Sequence, residues 1–360
     1  MCAIAHFPRL TPCLSRESGP RPWLSCRLTK NLGMHAPAAA VSGAADTRPT
    51  TCATTPMISC PYVMRLNNAN LIFAAILAAT AAFAQEPEYG PARGTLVIQG
   101  GGSDAGTGIF ETFVNKAGGL AAKIVVVPTA GGNRNPDGTV KQYRPEQVLA
   151  PWKKRGLTNV WMLHTHDPKV ANTEEFASVL HDAKGVWFEG GRQWNIVDSY
   201  AHTLTLQEFR KVLERGGVIG GSSAGATIQG DYLVRGAIAG PQIMMTPEPE
   251  HEHGFAFLRK VAIDQHINTR NRWDDLIPVI QKYPNLLGIG LSEGTAIVVT
   301  GDRFEVIGKW KVAIHDNTRQ YHPWEKPYYV LSPGDVYNMK TRRIEKYGNG
   351  SPVEAPALVK

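Results

Sequence analysis

The sequence predicts an α/β fold, an open parallel sheet with helices on both faces followed by an antiparallel C-terminal hairpin. Three observations predict it. From Gly94 onward, short apolar strand-like runs alternate with longer stretches of helical spacing, the pattern of a parallel sheet built from crossover units. Residues 123–129 form a near-continuous β-branched run, as expected of a strand buried on both faces. Clusters of small residues (Gly100 to Gly102, Thr129 to Gly132, Gly190-Gly191, Gly220 to Ala226) follow the strand-like runs. In open parallel sheets, ligands bind beyond the carboxyl ends of the strands, where these clusters lie.

In chain order, residues 95–99 read as a strand that breaks into Gly100-Gly101-Gly102. Residues 109–117 carry helical spacing through Ile109, Phe110, Phe113, Val114 and Ala117. After the 123–129 strand come a helix at 147–155 and a strand at 159–163. A helix follows at 173–183, with Thr173-Glu174-Glu175 suited to its first turn. Residues 185–189 form a fourth strand closed by Gly190-Gly191, 206–215 a helix, and 217–219 a strand running into a Gly/Ser/Ala turn. An irregular segment, 236–254, contains Pro241, Pro247 and Pro249. Then come strand-like 258–264, helical 273–282, and 287–294 turning into a strand at 295–299. Gly301-Asp302 signals a hairpin to 303–307. No repeat interrupts this order, so residues 90–345 are read as a single domain.

The N-terminus sets the class of protein. Met64-Arg65-Leu66-Asn67-Asn68, the apolar run 71–79 and Ala82-Phe83-Ala84 are the parts of a secretory signal peptide spanning 64–84. The run is too short and alanine-rich for a membrane span. Residues 1–63, rich in Pro, Ser, Thr and Cys, read as a spurious or disordered leader. All five cysteines precede Met64, so the mature chain has neither a disulfide framework nor a thiol nucleophile. Residues 1–84 also hold +5 of the formal +7, which removes the case for nucleic acid. A secreted or periplasmic protein, off the membrane once its signal is cleaved, is expected; a homodimer is left open.

The chemistry centres on Ser223 in Gly221-Ser222-Ser223-Ala224-Gly225. This is a G-x-S-x-G pattern at a strand end, where a strained turn lifts one hydroxyl out and aims the Ala224 amide at the same space. A glycine-rich connection or phosphate cradle is the competing reading. His266, after the 258–264 run, is the best-placed base, and Arg270 and Arg272 would line the same mouth and suit a carboxylate. His164-Thr165-His166-Asp167 and His251-Glu252-His253 lie in loops with no second cluster at matching spacing, so neither a metal nor another cofactor is expected.

Residues 221–226 resemble the GTSAGA nucleophile motif of the cyanophycinase-like serine peptidases, a family that also includes aspartyl dipeptidase E. Residues 264–272 (DQHINTRNR) are similar to its DQHFxxRxR segment, Gly190-Gly191-Arg192-Gln193 to its GGDQ turn, and 287–296 to its approach to the hairpin. The resemblance implies a three-layer sheet of the class I glutamine amidotransferase-like type. It implies Ser223 as nucleophile, His266 as base, the amides of Ala224 and Gly191 as oxyanion donors, and Gln193, Gln265, Arg270 and Arg272 as substrate-binding residues. The implied substrate is an aspartyl-linked peptide or isopeptide, foremost cyanophycin, a β-linked aspartyl–arginine polymer. A small aspartyl dipeptidase and a catalytically inactive peptide-binding protein are the alternatives. Two positions depart from the pattern: Arg192 replaces an acid, and Asp275 stands where a third arginine is usual. The family's acid would fall at 238–241, which hold no carboxylate. Glu248 is therefore expected to orient His266, with Glu250 and Asp231 as alternatives.

Overall fold

The computed structural model describes residues 86–349, 351 and 355–360. The leader, the signal peptide and all five cysteines lie outside the described residues. Five strands form the parallel part of a nine-stranded sheet: β1 (Thr95–Gln99), β2 (Ile124–Val127), β3 (Val160–Met162), β4 (Gly185–Phe188) and β5 (Val218–Ser222). Their spatial order is β1-β5-β4-β2-β3. The chain then leaves this sheet, and β6 (Val261–Gln265) and β7 (Leu287–Leu291) become parallel neighbours in a second sheet of four strands. It returns as the hairpin β8 (Thr295–Thr300) and β9 (Arg303–Gly308), with β8 antiparallel to β1. β10 (Val312–Asp316) and β11 (Tyr329–Leu331) complete the second sheet, while β12 (Val336–Asn338) and β13 (Arg343–Lys346) extend the first.

Strand alternation explains the layers. On β1, β2 and β4, the residues Leu96, Ile98, Val125, Val127, Val186 and Phe188 face one apolar cluster. Their neighbours Val97, Ile124, Val126 and Trp187 face the other. The second cluster is covered by α1 (Ile109–Ala117), through Ile109, Phe113 and Val114, and by α2 (Pro145–Lys154), through Leu149 and Trp152. Beyond β3 the expected helix at 173–183 is broken. α3 (Pro168–Ala171) starts under an Asp167 cap and α4 (Glu174–Ala177) under Thr173, whose hydroxyl accepts from Phe176 N, and a tighter turn at Ser178–Leu180 follows.

The first cluster is covered by α5 (Gln193–Tyr200), a helix outside the sequence expectations, and by α6 (Leu204–Glu214). Ile196, Tyr200, Phe209 and Val212 are fully buried there, each removed from water at a gain of roughly 1.5–3 kcal/mol. The single-turn helix α7 (Ala224–Thr227) and the apolar face of β6 and β7 share this layer. α8 (Ile277–Lys282) packs on β7 and β10. The result is the three-layer arrangement expected from the sequence. The C-terminal half adds a whole second sheet rather than a hairpin alone.

Candidate active site

The glycine-flanked serine forms the elbow that its sequence requires. β5 ends at Ser222, Ser223 takes φ 58° and ψ −113°, and Ala224 opens α7. A positive φ on a residue with a side chain costs on the order of 1–3 kcal/mol and is sustained only by its surroundings. Those surroundings are tight: a methyl group at Gly221 would lie 2.3 Å from Gly225 O, and one at Gly225 would lie 2.0 Å from Phe188 O. Only glycine fits both positions, so the two glycines of the pattern let the elbow close against itself and against β4. The Ala224 amide, first in its helix, has no intrahelical acceptor.

His266 follows β6 directly, also with φ near 60°. Two successive carbonyls at the end of β1 hold both residues: Ser223 N donates to Gln99 O at 3.1 Å and His266 N to Gly100 O at 2.9 Å. So placed, Ser223 Oγ lies 2.8 Å from His266 Nε2. On the other side of the ring, Nδ1 is 2.5 Å from Glu293 Oε1. A carboxylate only accepts, so Nδ1 carries the proton and Nε2 of the neutral ring accepts from the serine hydroxyl.

Glu293 sits in the Ser292-Glu293-Gly294 turn between β7 and β8, where its amide donates to Asn268 Oδ1 at 2.9 Å. The glycine run after β1 floors the pair. A methyl group at Gly101, where φ is 103°, would lie 2.2 Å from His266 Cε1, and one at Gly102 would lie 2.8 Å from Glu293 Oε2.

The expected acid therefore needs correction. Glu248 lies on the loop before a short 3-10 turn, and its carboxylate accepts from Thr246 Oγ1 at 2.5 Å, not from His266. Asp231 Oδ2 accepts from Lys260 N, and Glu250 has no bond to the imidazole. The loop 236–254 that carries Glu248 is turned instead toward α5. Arg192 donates to Ala237 O and Gln193 to Val234 O, each at 2.7 Å, and His251 Nε2 meets Asp198 Oδ1 at 2.7 Å. The signal for Glu293 was legible in kind, as a carboxylate inside a small-residue turn at the end of an apolar strand.

Electrostatics suit a neutral base. Burial pushes His266 below the ordinary imidazole range; the Glu293 hydrogen bond pulls it partly back, and the charges of Arg270 and Arg272 oppose that pull. Burial raises Glu293, but hydrogen bonds from His266 and Thr269 and the charges of His266 and Arg270 outweigh it and hold the carboxyl below its usual range.

The remaining expected residues divide. Gly190 lies against the elbow, a methyl group there falling 3.3 Å from Ser223 Cβ, whereas one at Gly191 would fall 2.1 Å from Ala130 O. Gln193 is buried, with its amide nitrogen committed to Val234 O. Gln265 is buried and its side-chain oxygen accepts from Arg272 at 3.3 Å. Arg270 is exposed within reach of His266 and Glu293. Asp275 is not a bare charge in the mouth. Arg235, buried and at φ 60°, bridges it to Asp264, donating to Asp264 at 2.8 and 3.1 Å and also to Asp275. His164 Nδ1 pairs with Thr129 Oγ1 at 3.0 Å. Among the described residues no group of three or more His, Cys, Asp or Glu is gathered as a metal site, and no helix is long and apolar enough to cross a membrane.

Comparison with known proteins shows the family. Residues 96–307, which run from β1 through β9, match Peptidase family S51. The chain belongs to that family. It is a serine-type peptidase, and the matched span includes Ser223, His266 and Glu293. A cyanophycinase from Synechococcus elongatus is 29% identical over 272 residues, covering 70% of this chain and 81% of that protein. One from Geminocystis herdmanii (strain PCC 6308) is 27% identical over 270 residues, covering 70% and 96%. In fold, the chain is similar to the crystal structure of a peptidase from an acI-B1 Actinobacterium, with a TM-score of 0.51 and 22% identity over 68% of this chain and 97% of that one.

Proposed function

We propose that this S51 peptidase is a cyanophycinase-like hydrolase that cuts aspartyl-linked isopeptide bonds with Ser223, His266 and Glu293. The observation that carries the reading is the unbroken relay from Ser223 Oγ through the imidazole to Glu293, at 2.8 and 2.5 Å. Ser223 Oγ attacks the scissile carbonyl carbon while His266 Nε2 takes its proton. The negative charge passes to the carbonyl oxygen, received by the amides of Ala224 and Gly191. Collapse of this intermediate expels the amine, which leaves with the proton held on Nε2, and an ester remains on Ser223. Water then attacks the ester, gives its proton to Nε2, and releases the acid and the serine hydroxyl. Glu293 holds the ring in the tautomer this cycle needs and stabilises the imidazolium.

The match to cyanophycinases over most of their length supports a cyanophycin-like polymer as substrate. Export rests on the signal-peptide pattern of residues 64–84 and on the confinement of every cysteine to residues before Met64. A serine-directed fluorophosphonate should label the wild-type chain and not Ser223→Ala, which should also lose at least roughly a thousandfold in release of β-Asp-Arg from the polymer. Labelling that survives in Ser223→Ala would sink the mechanism. Cleavage of free aspartyl dipeptides with none of the polymer would replace cyanophycinase with a small dipeptidase. For export, N-terminal sequencing of secreted protein should begin at Gln85.

A further inference from the structure

Charge pairing around the elbow leaves Arg192 and the exposed Arg270 without an ion pair among the described residues. Glu293 is engaged by His266, Asp264 and Asp275 by Arg235, and Asp198 by His251. Glu189, on the opposite face of the sheet, is hydrogen-bonded by Trp152. Arg192 has no such partner: among the described residues it forms no ion pair. Its guanidinium is half-buried and anchored by the bond from Nη2 to Ala237 O. Its backbone is fixed too, since Arg192 N donates to Ala130 O at 2.7 Å directly after the Gly190-Gly191 turn that touches Ser223. A guanidinium stays ionised even when partly desolvated, as Arg192 is, and its planar fork keeps donors free beyond the one bond to Ala237. A fixed, half-dry cation without a counter-ion, directly after a turn that touches Ser223, is suited to an anion that arrives with the substrate.

We propose that Arg192 determines specificity by pairing with a substrate carboxylate beside the scissile carbonyl. The proposal rests on the peptidase reading above and adds to it the charge of the group that is recognised. Two sources supply that chemistry, the side chain of an acidic residue and the free α-carboxylate of the residue joined to aspartate.

The test is calorimetric titration of the Ser223→Ala chain, which binds without turnover. The probes are β-aspartyl-glutamate and β-aspartyl-glutamine, each as the free acid and as the C-terminal amide. Removing the recognised carboxylate should weaken binding roughly ten- to a hundredfold. Sensitivity to Glu against Gln assigns the side chain, and sensitivity to amidation assigns the α-carboxylate. Adding Arg192→Gln should shrink that dependence to about threefold or less, and Arg192→Lys should restore part of it, since a point charge replaces the fork. Equal affinity for acids and amides, binding of none of the four, or a dependence that persists in Arg192→Gln would overturn the proposal. Turnover by the wild-type chain is read separately. Carboxylate-dependent binding without cleavage would count against the peptidase substrate and leave Arg192's role standing.

Discussion

Exchanging Glu293 for glutamine removes one charge and little else, so its effect can be worked out in advance. The carboxylate meets the imidazole at 2.5 Å and its side chain is 29% exposed, while that of His266 is 8% exposed. A unit charge pair about 4 Å between centres is worth about 4 kcal/mol at the effective dielectric near a protein surface. Partial exposure of Glu293 discounts this to about 3 kcal/mol. That energy acts when His266 becomes an imidazolium, in the transition state, so kcat should fall by about a hundredfold. A further loss follows wherever the amide presents its NH2 to Nδ1 and turns the ring to the wrong tautomer, an effect that in a comparable triad reaches about 10⁴-fold. KM should move by less than about threefold, because Glu293 binds the ring and not the substrate. Steady-state kinetics on a soluble aspartyl isopeptide measures all of this, with Glu248→Gln as the control, expected within about twofold of wild type because its carboxylate, accepting from Thr246, bonds neither His266 nor Ser223. If Glu248→Gln carried the large loss and Glu293→Gln were silent, the assignment of the acid from geometry would be wrong.

Other expectations follow from the same contacts. Gly101→Ala puts a methyl group into the imidazole at a left-handed backbone position, so kcat should drop by at least roughly tenfold and stability by about 1 kcal/mol or more, read by kinetics and thermal unfolding. Arg235→Met strands Asp264, which is fully buried, and Asp275, and should cost roughly 3–5 kcal/mol, about 10 °C in Tm; adding Asp275→Asn should recover part of it. The acid limb of the pH profile of kcat/KM should lie below the ordinary imidazole value of 6.5, since burial lowers His266, and in Glu293→Gln it should move lower still because the hydrogen bond that raises it is gone. The folded His266 binds fewer protons than the unfolded one, so its contribution to stability falls as pH drops below 6.5.

The parallel core was legible because its strands are buried on both faces and end in small residues. The run at 123–129 and the breaks at Gly100, Gly190 and Gly221 each mark a strand end that the structure places at the site. Helix α5 was not legible. Gln-Trp-Asn-Ile-Val-Asp-Ser-Tyr is poor in strong helix formers, and tertiary contacts of Ile196 and Tyr200 form it. The second sheet was missed because periodicity identifies a strand but not the sheet it joins. Ser223 and His266 were found as chemistry at strand ends, whereas the search for the acid followed sequence spacing. Glu293 is 27 residues beyond His266 and meets it only because β7 runs parallel beside β6 and ends next to it. Asp275 misled in the other direction, since its partner Arg235 lies 40 residues away.

Ser223 hangs from the large sheet and His266 from the small one, yet both are hooked to consecutive peptide groups of a single strand end. Neither sheet alone carries both residues. During folding, reactivity can therefore appear only when the two layers have docked in register. Secondary structure should return before the serine becomes reactive, and active-site titration of a refolding sample counts assembled molecules rather than merely collapsed ones. A hydrolase with this construction stays chemically silent until its last long-range contacts close.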